Sequence, residues 1–193
     1  LLLTKRPADI FKVLNMGLLD NYLVKRPENE AAFKALARLP KKAADRWCGL
    51  CLLLRHQGCI DWSEGFLRAL HLDSRTISFS AETAKILDSA LPENAIAWKK
   101  LLCRWGVDAV SRAVSCYDAF SGQSRSKDLK AVLKSGECFS MQNLAVSGED
   151  LMAQGLKGKD IGDMLSFLLD YVIEHPQNNR RELLLSFASS TED

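Results

Sequence analysis

Apolar residues recur along this chain with a helical period, not an alternating one. Ala43, Trp47, Leu50 and Leu54 fall at i, i+4, i+7 and i+11, one stripe of an α-helix. That helix is predicted to begin at Pro40 and to stop at Gly58. Upstream, Pro7 at a first helical position opens a helix over residues 7–15, which Gly17 ends. A second covers residues 29–38 with Phe33 and Leu36 inward. Downstream, residues 64–70 read as helix and residues 71–78 as a polar connection. Ser80 is then expected to cap a helix with Ala84, Leu87 and Leu91 on one face. After Pro92, the apolar set Trp98, Leu101, Leu102 and Trp105 sits at i, i+3, i+4 and i+7, and Gly106 breaks the helix. Residues 107–120 make another, with Val110, Val114 and Tyr117 inward. The Ser-Gly-Gln-Ser run at residues 121–124 is a loop, and residues 127–134 form a short helix. Only residues 77–79 hint at a strand. The fold class is therefore all-α, an irregular multi-helix array and not a regular bundle.

From Ser140 the texture changes. Ser147 and Asp150 form an S-x-x-D start that resembles a capping box, with Asp in place of the usual Glu. A short helix through Leu151 and Met152 ends at Gly155, and a Lys157-Gly158-Lys159 turn leads into a long one. On it Ile161, Leu165, Leu168 and Val172 are spaced i, i+4, i+7 and i+11; Pro176 stops it, and residues 180–187 are amphipathic. The organisation read here is a body over residues 1–139 and a small helical tail over residues 140–193.

Charge changes this picture a little. The net charge is only +2, too small to imply a polyanionic partner. Residues 1–139 hold 22 Lys/Arg against 15 Asp/Glu, a net +7, whereas residues 140–193 hold 4 against 9, a net −5. A basic body can present a cationic face, although solvated surfaces also produce such an imbalance. The longest apolar run, residues 47–54, has eight residues, against the roughly 18 that a membrane span needs. The six cysteines fall mostly within apolar helical patterns, which suits reduced thiols in a cytoplasmic protein. A chain opening on Leu1-Leu2-Leu3 without a cap reads as a fragment whose first helix begins upstream.

The stretch LAVSGEDLMAQGLKGKDIGDMLSFLLDYVIEHPQNNRRELLL, residues 144–185, carries Gly148, Asp150, Leu151, Gly155, Gly158, Ile161, Gly162, Leu168, Leu169, Pro176 and Asn179 in order. This resembles the C-terminal segment of bacterial CCA-adding tRNA nucleotidyltransferases and related poly(A) polymerases. Upstream, residues 8–19 resemble that family's neck helix, and Leu39-Pro40 with Arg46-Trp47 its next body helix. Residues 70–91 and 98–119 fit less sharply. The resemblance implies a chain without the catalytic head. The family's Asp-x-Asp pair, which holds two ions about 4 Å apart, has no counterpart in this sequence. Its neck motif, a Glu-Asp with an Arg three residues on, would lie upstream of Leu1. Mg²⁺, CTP and ATP are therefore expected for the missing head and no cofactor for this chain. The implied partners are tRNA, gripped on its acceptor and T-arm side, and the parent's own N-terminal head. Whether the parent adds CCA, C, A or poly(A) is not encoded here. A stand-alone helical adaptor descended from such an enzyme is the alternative.

Candidate RNA-binding residues are cationic clusters. Lys127, Lys130 and Lys134 lie at i, i+3 and i+7, with Arg125 before them; Lys99, Lys100 and Arg104 form a second group between Trp98 and Trp105. Each could contact phosphates or be a solvated helix face. Gly158 at a helix start, between Lys157 and Lys159, could offer backbone N–H groups to a phosphate, or be only a turn. Trp47, Trp98 and Trp105 fall on apolar faces and are assigned to packing. Cys48, Cys51, His56 and Cys59 have the spacing C-x2-C-x4-H-x2-C of a zinc knuckle, but Cys48 to His56 share one predicted helix and cannot readily converge, so they read as core thiols and a surface His. In some members of the family it resembles, this helix bears a His-Asp pair; aligned on Arg46-Trp47, that place is held here by Leu52-Leu53, which removes a metal hydrolase reading. No catalytic constellation emerges.

Overall fold

A computed structural model describes residues 1–189; the last four residues of the 140–193 tail lie outside the described residues. Among the described residues there are ten α-helices, five short 3-10 turns and no strand, so the chain is all-α. The α-helices are α1 (Ile10–Asn15), α2 (Glu30–Phe33), α3 (Ala43–His56), α4 (Ser63–Ala69), α5 (Ser74–Asp88), α6 (Ala95–Ser121), α7 (Ser126–Ser135), α8 (Gly148–Ala153), α9 (Lys159–Glu174) and α10 (Arg181–Ser189). Two compact units are present. One comprises Leu1–Leu91 with Val107–Lys127; the other comprises Pro92–Gly106 and the chain from Asp128 onward. These divisions fall at different places from the composition boundary at 139/140.

In the first unit α3 is the spine. Of its predicted stripe Leu50 and Leu54 are buried, Trp47 is half-buried and Ala43 is exposed; Cys48, Cys51 and Leu53 complete the buried face, and the helix packs chiefly on α5. Gly49 is a close approach: a Cβ there would run into Leu39 Cδ1 and lie 3.3 Å from Leu36 Cδ2 and Phe120 Cζ, so those side chains rest on bare backbone. The buried Arg46 donates to the carbonyls of Leu2 and Thr4, tying the first residues to α3. Arg112 lies 3.4 Å from Asp45 and stacks over the Phe79 ring at 3.8 Å, joining three helices of this unit.

The start of α5 differs from the sequence expectation. Residues 74–78, read as connection, are helix, and so are residues 77–79, read as a strand hint. The reason is the cap. Asp73, not Ser80, is the N-cap, accepting from Thr76 N–H at 2.9 Å and from the Thr76 hydroxyl at 2.7 Å. Ser80 is a buried interior residue. The expected break at Gly106 is present: within α6 this residue alone is non-helical, at φ +76° and ψ 163°, a region that Gly adopts without strain.

In the second unit α9 buries Leu168, Leu169, Val172 and Ile173 against Leu151 of α8, Leu184 of α10, Leu144, Val146 and Cys138. The capping box at Ser147 and Asp150 is formed as the sequence predicts. No helix among the described residues is long and apolar enough to cross a membrane.

Candidate nucleic-acid interface

The start of α7 is set by Asp118, whose carboxylate accepts from the backbone N–H of Arg125 at 2.7 Å and of Ser126 at 3.1 Å. The helix then turns Leu129 and Val132 inward, 4% and 8% exposed. At roughly 100° per residue, Lys127, Lys130 and Lys134 fall within about 60° of arc on the other side. All three are exposed. A row of ammonium groups on one helical face is the arrangement that tracks a phosphate backbone. Arg125, half-buried, precedes the row.

The group at Lys99, Lys100 and Arg104 divides. Lys99 is 2% exposed and is not a surface cation, which corrects the expectation for it. Its Nζ donates to Glu137 Oε2 at 2.8 Å and to the carbonyl of Ile173 in the last turn of α9. Such terminal carbonyls have no partner within their helix and carry the negative end of its dipole, so an ammonium satisfies them well. Its neighbour Lys100 is exposed and donates to Glu174 Oε1 at 2.7 Å, a contact that raises its pKa. Arg104 is exposed and stands over the Trp105 ring at 5.4 Å. A helical wheel would have separated them. Lys99 sits about 60° from Leu102, at the edge of the apolar face, whereas Lys100 and Arg104 lie opposite it.

Gly158, the N-cap of α9, has φ +55° and no side-chain cap bond, and a Cβ there would meet nothing within 4 Å. Of the first amides of this sixteen-residue helix, that of Asp160 donates to the Lys157 carbonyl at 3.2 Å, and exposed Lys157 and Lys159 flank the turn. Asp160 is exposed in the same turn, and Asp163 lies 3.9 Å from Lys159 Nζ, so negative charge competes for that spot.

The residues that carried the resemblance are mostly structural. Asp150 accepts from Ser147 N–H and the Ser147 hydroxyl, each at 2.9 Å, and from Arg181, which joins the starts of α8 and α10. The Arg181 guanidinium first, then the Ser147 bonds, hold its carboxyl down at about 2. Asn179 accepts from Ala145 N–H at 2.8 Å and donates to the Asn143 carbonyl at 2.9 Å. Leu151 and Leu168 are fully buried.

The cysteines pack. Burial pushes the Cys48 thiol up to about 11 and Cys51 to about 12, against opposing contacts from Thr83 and Ser80 respectively. Cys59 is buried beyond Gly58, while His56 is exposed at the end of α3. Among the described residues no three His, Cys, Asp or Glu side chains are grouped to hold a metal. The two-ion chemistry of nucleotidyl transfer therefore finds no fitting carboxylate set within them.

Two features passed unread in the sequence. Trp62 is 74% exposed at the N-cap of α4, though its neighbours Ile60 and Phe66 are core. A groove along α2 and α3 brings together residues as distant as Lys34 and Tyr117, a juxtaposition that no local pattern encodes. Residues 40–188 match the family model described as tRNA nucleotidyltransferase domain 2. No curated protein and no solved structure matches the chain.

Proposed function

The chain belongs to the tRNA nucleotidyltransferase domain 2 family, and from that premise we propose that it is the tRNA-holding region of an enzyme that completes or repairs tRNA 3′ ends with CCA. In this reading a catalytic head elsewhere in the parent performs the transfer with CTP, ATP and Mg²⁺, and these helices position the substrate on its acceptor and T-arm side. A-form RNA is recognised mainly by shape and backbone contacts, so a row of cations on a rigid helix is what the task requires. The observation that carries the proposal is the exposed face of α7, with Lys127, Lys130 and Lys134 inside one arc. Lys157, Lys159 and Arg104 are secondary contacts in this reading, and Lys99 is withdrawn from it.

The test is binding of labelled tRNA to the chain and to a Lys127→Glu, Lys130→Glu, Lys134→Glu variant. All three positions are exposed, so the variant is expected to fold. Affinity should fall roughly tenfold or more at low salt, and the salt slope should shrink by about one per lysine. Equal affinity of the two proteins would refute the assignment.

A second reading, a helical adaptor for a protein partner, has one observation behind it. Phe167 is 54% exposed, its ring 6.0 Å from that of Phe187, on a helix that also exposes Asp163 and Asp170. A chain that ignores tRNA at every salt concentration would favour this reading.

A further inference from the structure

Within the first unit a groove of about 960 Å³ runs between the segment containing α2, the C-terminal half of α3, the end of α5 and the end of α6. That volume lies in the range of roughly 300–1,000 Å³ that small ligands occupy. Leu52, Leu87 and Tyr117, each half-buried, give it an apolar, partly aromatic lining. The Tyr117 hydroxyl donates to Gln123 Oε1 at 2.9 Å, which restrains the ring. The rim is cationic. Lys34 and Arg38 are exposed along it, and Arg38 also donates to the Ala119 carbonyl at 3.1 Å.

Among the described residues one acidic side chain, Asp88, lines the groove, and it is already matched by Arg55 at 3.1 Å. Neither Lys34 nor Arg38 has an ion-pair partner among the described residues, so the groove keeps an excess of positive charge beside its apolar, partly aromatic lining. A ligand complementary to both is planar and weakly polar at one end and anionic at the other. A duplex keeps its bases paired and stacked, so none is free to lie on the ring, and an aliphatic anion would leave the ring unused.

We infer that this groove receives one unpaired nucleotide of an RNA strand, its base laid on Leu52, Leu87 and Tyr117 and its phosphate set against Lys34 and Arg38. The site shares no residue with the α7 face and does not require the tRNA reading. Base stacking on a protein aromatic is sequence-tolerant, because every base offers a π-face, so the groove should accept unstructured strands of any composition.

The experiment uses the full chain and a ten-nucleotide oligouridylate carrying one 4-thiouridine, read by anisotropy and by mapping of ultraviolet crosslinks. The expected result is a crosslink to the segments around residues 52–56 or 117–121. Tyr117→Leu, which removes the stacking face but keeps apolar volume, should weaken binding roughly 5- to 150-fold, the worth of one stacked base. Lys34→Glu should lower the salt slope by about 0.7, the contribution of one phosphate on a single strand. Thermal unfolding of both variants checks that the fold is retained, and Lys34→Glu, at an exposed position, keeps the test open if Tyr117→Leu unfolds. The α7 triple variant should leave the groove crosslink in place, which separates this inference from the tRNA reading. Crosslinks confined to other segments, or affinity unchanged in Lys34→Glu, would overturn it. Full displacement by uridine monophosphate would overturn it in favour of a free-nucleotide site, and equal displacement by polyglutamate in favour of an acidic protein partner.

Discussion

Replacing Lys99 by Met separates a structural lysine from an RNA-binding one, because its neighbour Lys100 serves as an internal control. Lys99 Nζ is held by Glu137 and by the Ile173 carbonyl, with 2% of the side chain exposed. Removing one partner of a buried ion pair costs about 3–5 kcal/mol when the other charge is left in the interior. Glu137, however, is 37% exposed and can rehydrate, so that range is an upper bound here. What remains is chiefly the orphaned Ile173 carbonyl, worth about 1–3 kcal/mol, offset in part by the apolar Met stem. The expected loss is about 1–3 kcal/mol of the stability of the second unit. Lys100→Met breaks only an exposed contact with Glu174 and should leave stability unchanged within error. The assay is urea unfolding followed by tryptophan fluorescence, since Trp98 and Trp105 both belong to this unit. A Lys99→Met protein with the wild-type midpoint and a shallower tRNA salt slope would refute the reasoning and return Lys99 to the surface.

Three further outcomes follow from the packing and the titrating groups. Gly49→Ala should destabilise the first unit by about 1–3 kcal/mol through overpacking, whereas Gly148→Ala, whose Cβ would meet Ile161 Cγ2 at an ordinary 3.4 Å, should be nearly silent; chemical denaturation of the two variants decides it. Asp150 titrates at about 2 in the folded chain, below its ordinary 3.8, so its stabilising effect is complete above about pH 4 and fades as pH falls through 2. The difference in melting temperature between wild type and Asp150→Asn should accordingly shrink between pH 5 and pH 2, and a constant difference would contradict the assignment. In a thiol titration at pH 8, exposed Cys103 should react first, while Cys48 and Cys51, raised to about 11 and about 12 by burial, should wait for unfolding.

Local rules made much of this fold readable. The apolar stripe of α3, the glycine stops at Gly17, Gly58 and Gly106, and the Ser147–Asp150 box all depend on residues within a few positions of one another. The misreading at α5 was also local: Asp73 is as good a cap as Ser80, and the Thr76 bonds to it select the earlier start. The wheel places Lys99 at the edge of the apolar face, but its partners Glu137 and Ile173 lie 38 and 74 positions away, and no periodicity names them. The groove is a product of tertiary assembly for the same reason. The α7 stripe could be seen in the sequence because a lysine row needs only the helical repeat, yet its exposure is a property of the folded chain.

If these helices hold RNA through its phosphates, as proposed, the salt dependence of tRNA binding must show it. If Lys127, Lys130 and Lys134 each neutralise one phosphate of an A-form arm, log affinity plotted against log salt should have a slope of about −2.7 or steeper. A flat line, or no binding at the lowest salt used, would contradict the account.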